Sequence, residues 1–128
     1  MKRLTLIALA LLVFAWTPTH FWSLALAYRD DYERADVPML PVIANAHASA
    51  WWIVLHTGLT AFIALMLSVR PALGWVYVVP TVMATVWLGW HSIRLLQQPE
   101  RPRAFKLFKV SNIYLGIVLL GIYLGMLF

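Results

Sequence analysis

Four long apolar runs, separated by short polar stretches, divide the chain. The first extends from Leu4 to about Ala27, the second from about Ala48 to Val69, the third from Leu73 to about Leu96 and the fourth from Leu107 to Phe128. About 20 apolar residues in a helix rising about 1.5 Å each cross a hydrocarbon layer of about 30 Å. Backbone polar groups in lipid must be satisfied within the segment, so such runs are helices. The pattern therefore predicts an all-α, polytopic membrane protein. It has four transmembrane helices at about 4–27, 48–69, 73–96 and 107–128, as one unit over residues 1–128. Pro18 and Pro80 fall inside two of the runs, and Pro18 is expected to kink or loosen the first helix locally. Pro38 and Pro41 close a polar loop from Tyr28 to Ala46. The connector at Arg70-Pro71 is so short that the second and third helices should form a tight antiparallel pair. Gln97 to Lys106 reads as a second polar loop.

Composition agrees with the pattern. Hydrophobic residues make up 62% of the chain and charged residues only 12%, against about 45–50% and about 25% in soluble domains. With no cysteine there is neither a disulfide framework nor a thiolate metal site. Lys and Arg sit between apolar runs, where they set orientation, so the net charge of +5 does not indicate nucleic-acid binding. Arg29, Arg34, Arg94, Arg101, Arg103, Lys106 and Lys109 flank the two polar loops, whereas Lys2, Arg3 and Arg70 lie at the other ends. The positive-inside rule then places loops 28–46 and 97–106 in the cytoplasm and both termini outside, in a multi-pass protein of the cell inner membrane. An outside N-terminus is natural if further helices precede it. Lys2-Arg3, an apolar stretch and Ala25-Leu26-Ala27 also fit a cleavable leader, but Trp16 to Trp22 is too bulky for a cleavage region.

Polar chemistry concentrates in one place. Four of the five acidic residues, Asp30, Asp31, Glu33 and Asp36, lie in the first loop. Adjacent carboxylates at a membrane interface suit Mg²⁺, which takes one or two carboxylates plus substrate phosphates and water. Asp30 is also placed to pair with Arg34 at i, i+4 in a plainly solvated loop, and spacing alone leaves both readings open. His20 is an ionisable group within an apolar run, which marks a candidate site. Helical spacing puts Trp16, His20, Ser23, Ala27 and Asp31 on one face leading to the acidic loop. His47, His56 and His91 admit a bis-histidine haem reading; loop and interhelical roles for His47 and His56 are the competing account. Lys106 and Lys109, with Arg101 and Arg103, could receive a diphosphate or simply anchor the helix at the interface. Gly121-x-x-x-Gly125 permits a close helix contact.

Three segments carry a resemblance. They are Trp16-Thr17-Pro18-Thr19-His20-Phe21-Trp22, then Tyr28-Arg29-Asp30-Asp31-Tyr32 with Val37-Pro38-Met39-Leu40-Pro41, and Phe105 to Leu115. Together they resemble the protoheme IX farnesyltransferase (haem O synthase) family of UbiA-type intramembrane prenyltransferases. The resemblance implies a ring of membrane helices around a lipid-open cavity. It implies an enzyme that joins a farnesyl group from farnesyl diphosphate to a vinyl group of protohaem IX. It also implies two Asp-rich cytoplasmic loops holding Mg²⁺ and the diphosphate, the second of which matches Tyr28 to Asp36. Asp30 and Asp31 are then the catalytic, metal-linked pair. Trp16, His20, Phe21, Trp22, Tyr28, Tyr32, Arg34, Lys106 and Lys109 are the substrate-binding candidates.

The first Asp-rich motif of that family has no counterpart here, and Thr19 stands where a second proline is common. The expectation is therefore the C-terminal part of such an enzyme, with a missing N-terminal half as a possible partner. Two alternatives are a prenyltransferase with another aromatic acceptor, and a non-enzymatic four-helix membrane protein that binds haem or a partner.

Overall fold

A computed structural model describes residues 2–38, 45–69 and 73–127 of the chain. Among them are α1 (Lys2–Ala27), a short α2 (Arg29–Arg34), α3 (Ala46–Met66) continued by a 3-10 turn at Leu67–Val69, α4 (Gly74–Gln97) and α5 (Arg101–Leu127). No strand occurs among the described residues. Each of α1, α3, α4 and α5 is long and apolar enough to cross a membrane. The four expected spans are thus present within a few residues at most ends. Arg70-Pro71 and Met39 to Ala44, including Pro41, lie outside the described residues.

Two local features differ from the sequence reading. The acidic loop contains a helix. Asp30 and Asp31 occupy the first turn of α2 and Arg34 its last, the charge order that the helix dipole favours. Asp36 then ends the turn at φ 58°, with its N–H donating to the Glu33 carbonyl, a conformation that Asp tolerates better than most residues. The last helix starts at Arg101, not Leu107. Pro102 falls in its first turn, where a missing N–H costs nothing, so the polar run 101–106 is helical. α1 also continues unbroken through Pro18. Thr17 Oγ1 donates to the Val13 carbonyl at 2.6 Å one turn back, and side chains of this kind help re-satisfy backbone groups around a membrane proline. At the other end of the acidic loop, Asn45 caps α3 by accepting from Ala48 N–H at 2.7 Å.

The helices alternate in direction. α1 packs against α3 and α5, α3 against α4, and α4 against α5, closing a four-helix bundle. Its interior combines Leu12, Ile53, Leu88, Leu107, Tyr77 and Tyr114 with buried Ala, Ser and Thr. Small residues let membrane helices approach where no hydrophobic drive joins them. Hydroxyls tie the elements together: Thr19 with Thr57 at 3.1 Å (α1–α3), Thr85 with Tyr114 at 3.1 Å (α4–α5), and Tyr77 donating to the Ala64 carbonyl at 2.6 Å (α4–α3). Large side chains such as Phe14, Phe62, Trp75 and Met83 point outward, the reverse of a soluble bundle and suited to lipid. Tyr77→Phe should lower bundle stability by about 1 kcal/mol, the net value of one buried hydrogen bond. Thermal unfolding in detergent reads this; an unchanged midpoint would show that the Ala64 contact contributes nothing.

Candidate functional site

The site grows from the antiparallel contact of the C-terminal half of α1 with the N-terminal half of α5. Trp16 Nε1 donates to the Ser111 carbonyl at 2.8 Å, fixing the two helices in register. Above that bond the rings form a ladder. Trp16 stacks on His20 with centroids 4.5 Å apart, and His20 stacks on Phe108 at 4.7 Å. Phe108 lies 6.1 Å from Phe105, and Phe105 meets Tyr28 edge-on at 6.1 Å. Phe21 adds an edge contact to His20 at 5.2 Å. Cations border the ladder, with the Arg101 guanidinium 4.9 Å from the Tyr28 ring centre and Lys109 Nζ 4.6 Å from that of Phe105. Trp16 and His20 are one i, i+4 step apart on α1, and Tyr28, just past its end, falls two such steps further on. On α5, Arg101, Phe105, Phe108 and Lys109 repeat at three and four residues. Each set therefore makes one stripe.

The ladder ends at a polar crevice of about 270 Å³ between α2 and the start of α5. Tyr28, Arg29, Asp30, Asp31, Arg34 and Arg101 are among its walls. On the other side of α2, a hollow of about 420 Å³ is lined by Leu24, Tyr28, Asp31 and Tyr32. Asp31 and Tyr28 belong to both. Arg34 pairs with the Asp31 carboxylate and donates from Nε to the Asp30 carbonyl. The ion pair expected between Asp30 and Arg34 is therefore made by Asp31 at i, i+3. The Asp31–Arg34 side chains are 59% and 75% exposed; such a pair contributes at most about 1 kcal/mol and a ligand can rearrange it. Three guanidinium groups and two carboxylates thus share one small crevice. That set can bind a polyanion directly and through a divalent cation. The acids alone are a sparse cage: no group of three or more His, Cys, Asp or Glu among the described residues could hold a metal. Two adjacent carboxylates with basic neighbours nevertheless fit Mg²⁺, which brings phosphate oxygens and water as its other ligands.

Other candidates are placed less closely together. Trp16, His20, Phe21 and Tyr28 line the seam. Trp22 turns to α3 and meets His56 edge-on at 5.0 Å, so it does not share the ladder. Ser23 is buried in the bundle, Ala27 and Tyr28 reach the wall of the crevice, and Leu24 lines the hollow on the other side of α2. Lys109 borders the ladder, whereas Lys106 lies with His91, Arg94 and Arg103 on the far side of α5. The four imidazoles do not gather. His56 Nδ1 sits 2.9 Å from the Trp52 carbonyl, His91 meets Trp87 edge-on, and His47 is exposed at the start of α3. His20 Nδ1 is buried with no partner, a nitrogen left free to meet a ligand in the seam. Phe105 and Phe108 were not singled out from sequence as site residues; the three- and four-residue spacing from Arg101 was the available signal.

Residues 3–113 match the UbiA prenyltransferase family. The chain is 40% identical over 91% of its length to a protoheme IX farnesyltransferase of Haloarcula marismortui. It is 46% identical over 84% of its length to protoheme IX farnesyltransferase 2 of Saccharopolyspora erythraea, and 41% over 84% to a protoheme IX farnesyltransferase of Thermus thermophilus. These alignments cover 25%, 33% and 18% of the respective relatives, so the chain spans a third of their length or less. No solved structure is significantly similar to it.

Proposed function

Because the chain belongs to the UbiA prenyltransferase family, we propose that it serves the transfer of a farnesyl group from farnesyl diphosphate to a vinyl group of protohaem IX, giving haem O. The observation that carries this reading is the aromatic ladder from Trp16 to Tyr28 opening directly into the crevice of Asp30, Asp31, Arg29, Arg34 and Arg101. The relatives' names supply the substrates.

Asp30 and Asp31 would hold Mg²⁺, which when bound neutralises charge on the departing diphosphate. Arg29, Arg34 and Arg101 bind its remaining oxygens, Arg through planar forked donors suited to phosphate. Preorganised positive charge aimed at a leaving group is catalysis without moving parts. The farnesyl chain extends from the crevice along the seam, beside Tyr28 and Phe105. Tyr28 and Phe105, the rings nearest the crevice, lie closest to the allylic carbons that develop positive charge beside the departing diphosphate, where a desolvated cation–π contact contributes about 2 kcal/mol; Phe108, His20 and Trp16 border the rest of the chain. The same flat rings seat the porphyrin, and Tyr32 and Lys109 border the approach. An apolar seam keeps water from the allylic cation until the vinyl carbon reaches it; the cation this leaves on the porphyrin side chain then takes up water and loses a proton, which gives the hydroxyl of haem O. The positive charges beside the crevice support the reading that this end of the bundle faces the cytoplasm and both described termini face outside, in the inner membrane.

Membranes carrying the chain together with the N-terminal half that the resemblance implies should convert farnesyl diphosphate and protohaem IX to haem O, detected by mass spectrometry of extracted haem. Phe105→Leu keeps bulk but removes the π face nearest the crevice and should slow the reaction about 30-fold. A rate equal to wild type would remove the ladder from the mechanism.

A further inference from the structure

The α4/α5 groove lies on the opposite side of α5 from the ladder and carries its own pattern. Near the crevice end, a pocket of about 220 Å³ is formed by His91, Arg94, Pro102, Arg103 and Lys106. Its three permanent cations make no ion pair among the described residues. Arg103 Nη1 donates to the Arg94 carbonyl at 2.7 Å, which pins one guanidinium at the pocket wall. Deeper in the membrane the same two helices border an apolar groove of about 560 Å³, with Val76, Val79, Met83, Trp87, Ile117 and Leu120 among its walls. Trp87 joins the two, because its ring meets His91 edge-on at 5.9 Å. On α4 the positions 76, 80, 83, 87, 91 and 94 follow steps of three and four, so groove and pocket share one stripe.

We propose that this seam binds an anionic phospholipid, its phosphate in the basic pocket and one acyl chain along the groove. The chemistry is complementary at both ends. Unpaired cations at a membrane surface attract anionic headgroups, and forked guanidiniums bind phosphate oxygens. The length also matches. Arg94 to Met83 rises about 16 Å along the helix, close to one leaflet's half of a hydrocarbon core of about 30 Å, so a chain held at the pocket lies along the Trp87–Met83 part of the groove. Charges that merely set topology need no apolar channel continuous with them.

The test uses the purified, delipidated protein in neutral detergent, titrated with fluorescent phosphatidylglycerol, phosphatidylcholine and inorganic phosphate. Phosphatidylglycerol should bind at least tenfold more tightly than phosphatidylcholine. Arg94→Gln should weaken it about fivefold, and Arg94→Gln with Arg103→Gln about 25-fold, from roughly fivefold per surface cation. The single variant leaves the bond from Arg103 to the backbone intact, so a folding defect in the double variant would not hide the result. Met83→Trp, which fills the groove, should weaken binding while the pocket is untouched. Equal affinity for the two lipids, or an unchanged affinity in Arg94→Gln, would overturn the proposal. So would full displacement of the lipid by millimolar inorganic phosphate, since that would leave the groove without a role.

Discussion

Asp31→Ala should abolish haem O formation while leaving the four helices inserted and packed. Asp31 is the acidic residue that lines both hollows beside α2, so it stands where a metal-bound diphosphate would meet the start of the seam. Losing one preorganised electrostatic contact typically slows catalysis on the order of 10²–10³-fold, and a divalent ion with a single remaining carboxylate should be held poorly. The structural cost is small by comparison. The only ion pair broken is the exposed one with Arg34, which contributes at most about 1 kcal/mol. Glu33→Ala is the matching control. Glu33 is exposed on the same short helix and lines neither hollow, so haem O output should stay at wild-type level. Extracted haem from membranes with equal protein content distinguishes the two. Normal output from Asp31→Ala would take the carboxylate out of the site and with it the proposed diphosphate clamp.

Gly125→Ala should be the most damaging single methyl added to the bundle. A Cβ there would lie 2.8 Å from the Leu73 carbonyl oxygen and 3.1 Å from Leu73 Cα. Both are backbone atoms, so relief requires moving α5 away from the start of α4. Overpacking of this kind costs about 1–3 kcal/mol. At Gly121 the nearest atom would be Tyr77 Cδ1 at 3.3 Å, a side chain that can shift slightly, so Gly121→Ala should cost less. At Gly116 a Cβ would meet nothing within 4 Å, and alanine there should be neutral or stabilising through helix propensity. Thermal unfolding of the three variants in one detergent should rank them 116, 121, 125 from most to least stable. Any ranking that puts 125 above 116 would show that α4 and α5 do not meet at this glycine.

Much of this was open to inspection in the sequence, for a simple reason. Membrane spans are written in composition over twenty residues, so four helices could be read with no knowledge of their neighbours. The acidic loop stood out for the same reason, since charge is conspicuous in an apolar chain. What could not be read depends on helix phase and partner. Arg101, Arg103, Lys106 and Lys109 look like one basic cluster when taken as loop. Once Pro102 is recognised as a first-turn proline, positions 101 and 103 fall about 200° apart around a helix. One then faces the crevice and the other the α4 groove. Likewise His20 and Phe108 meet across 88 positions of sequence, and nothing local to either predicts the other. The glycine pair gave only a weak motif, yet both residues are buried against α4. A small residue's importance depends on what comes opposite it.

The ladder is shared between the first and last of the described spans, and this has a consequence for synthesis. α3 and α4 enter the bilayer between them, so while α5 is still being made, α1 has rings without partners. Trp16 then has no Ser111 carbonyl to bond and His20 lies bare to lipid. A ribosome stalled before α5 emerges should carry a nascent chain with α1, α3 and α4 inserted and the ladder unpaired. The paired ladder is therefore assembled only once the last of the described spans has been made.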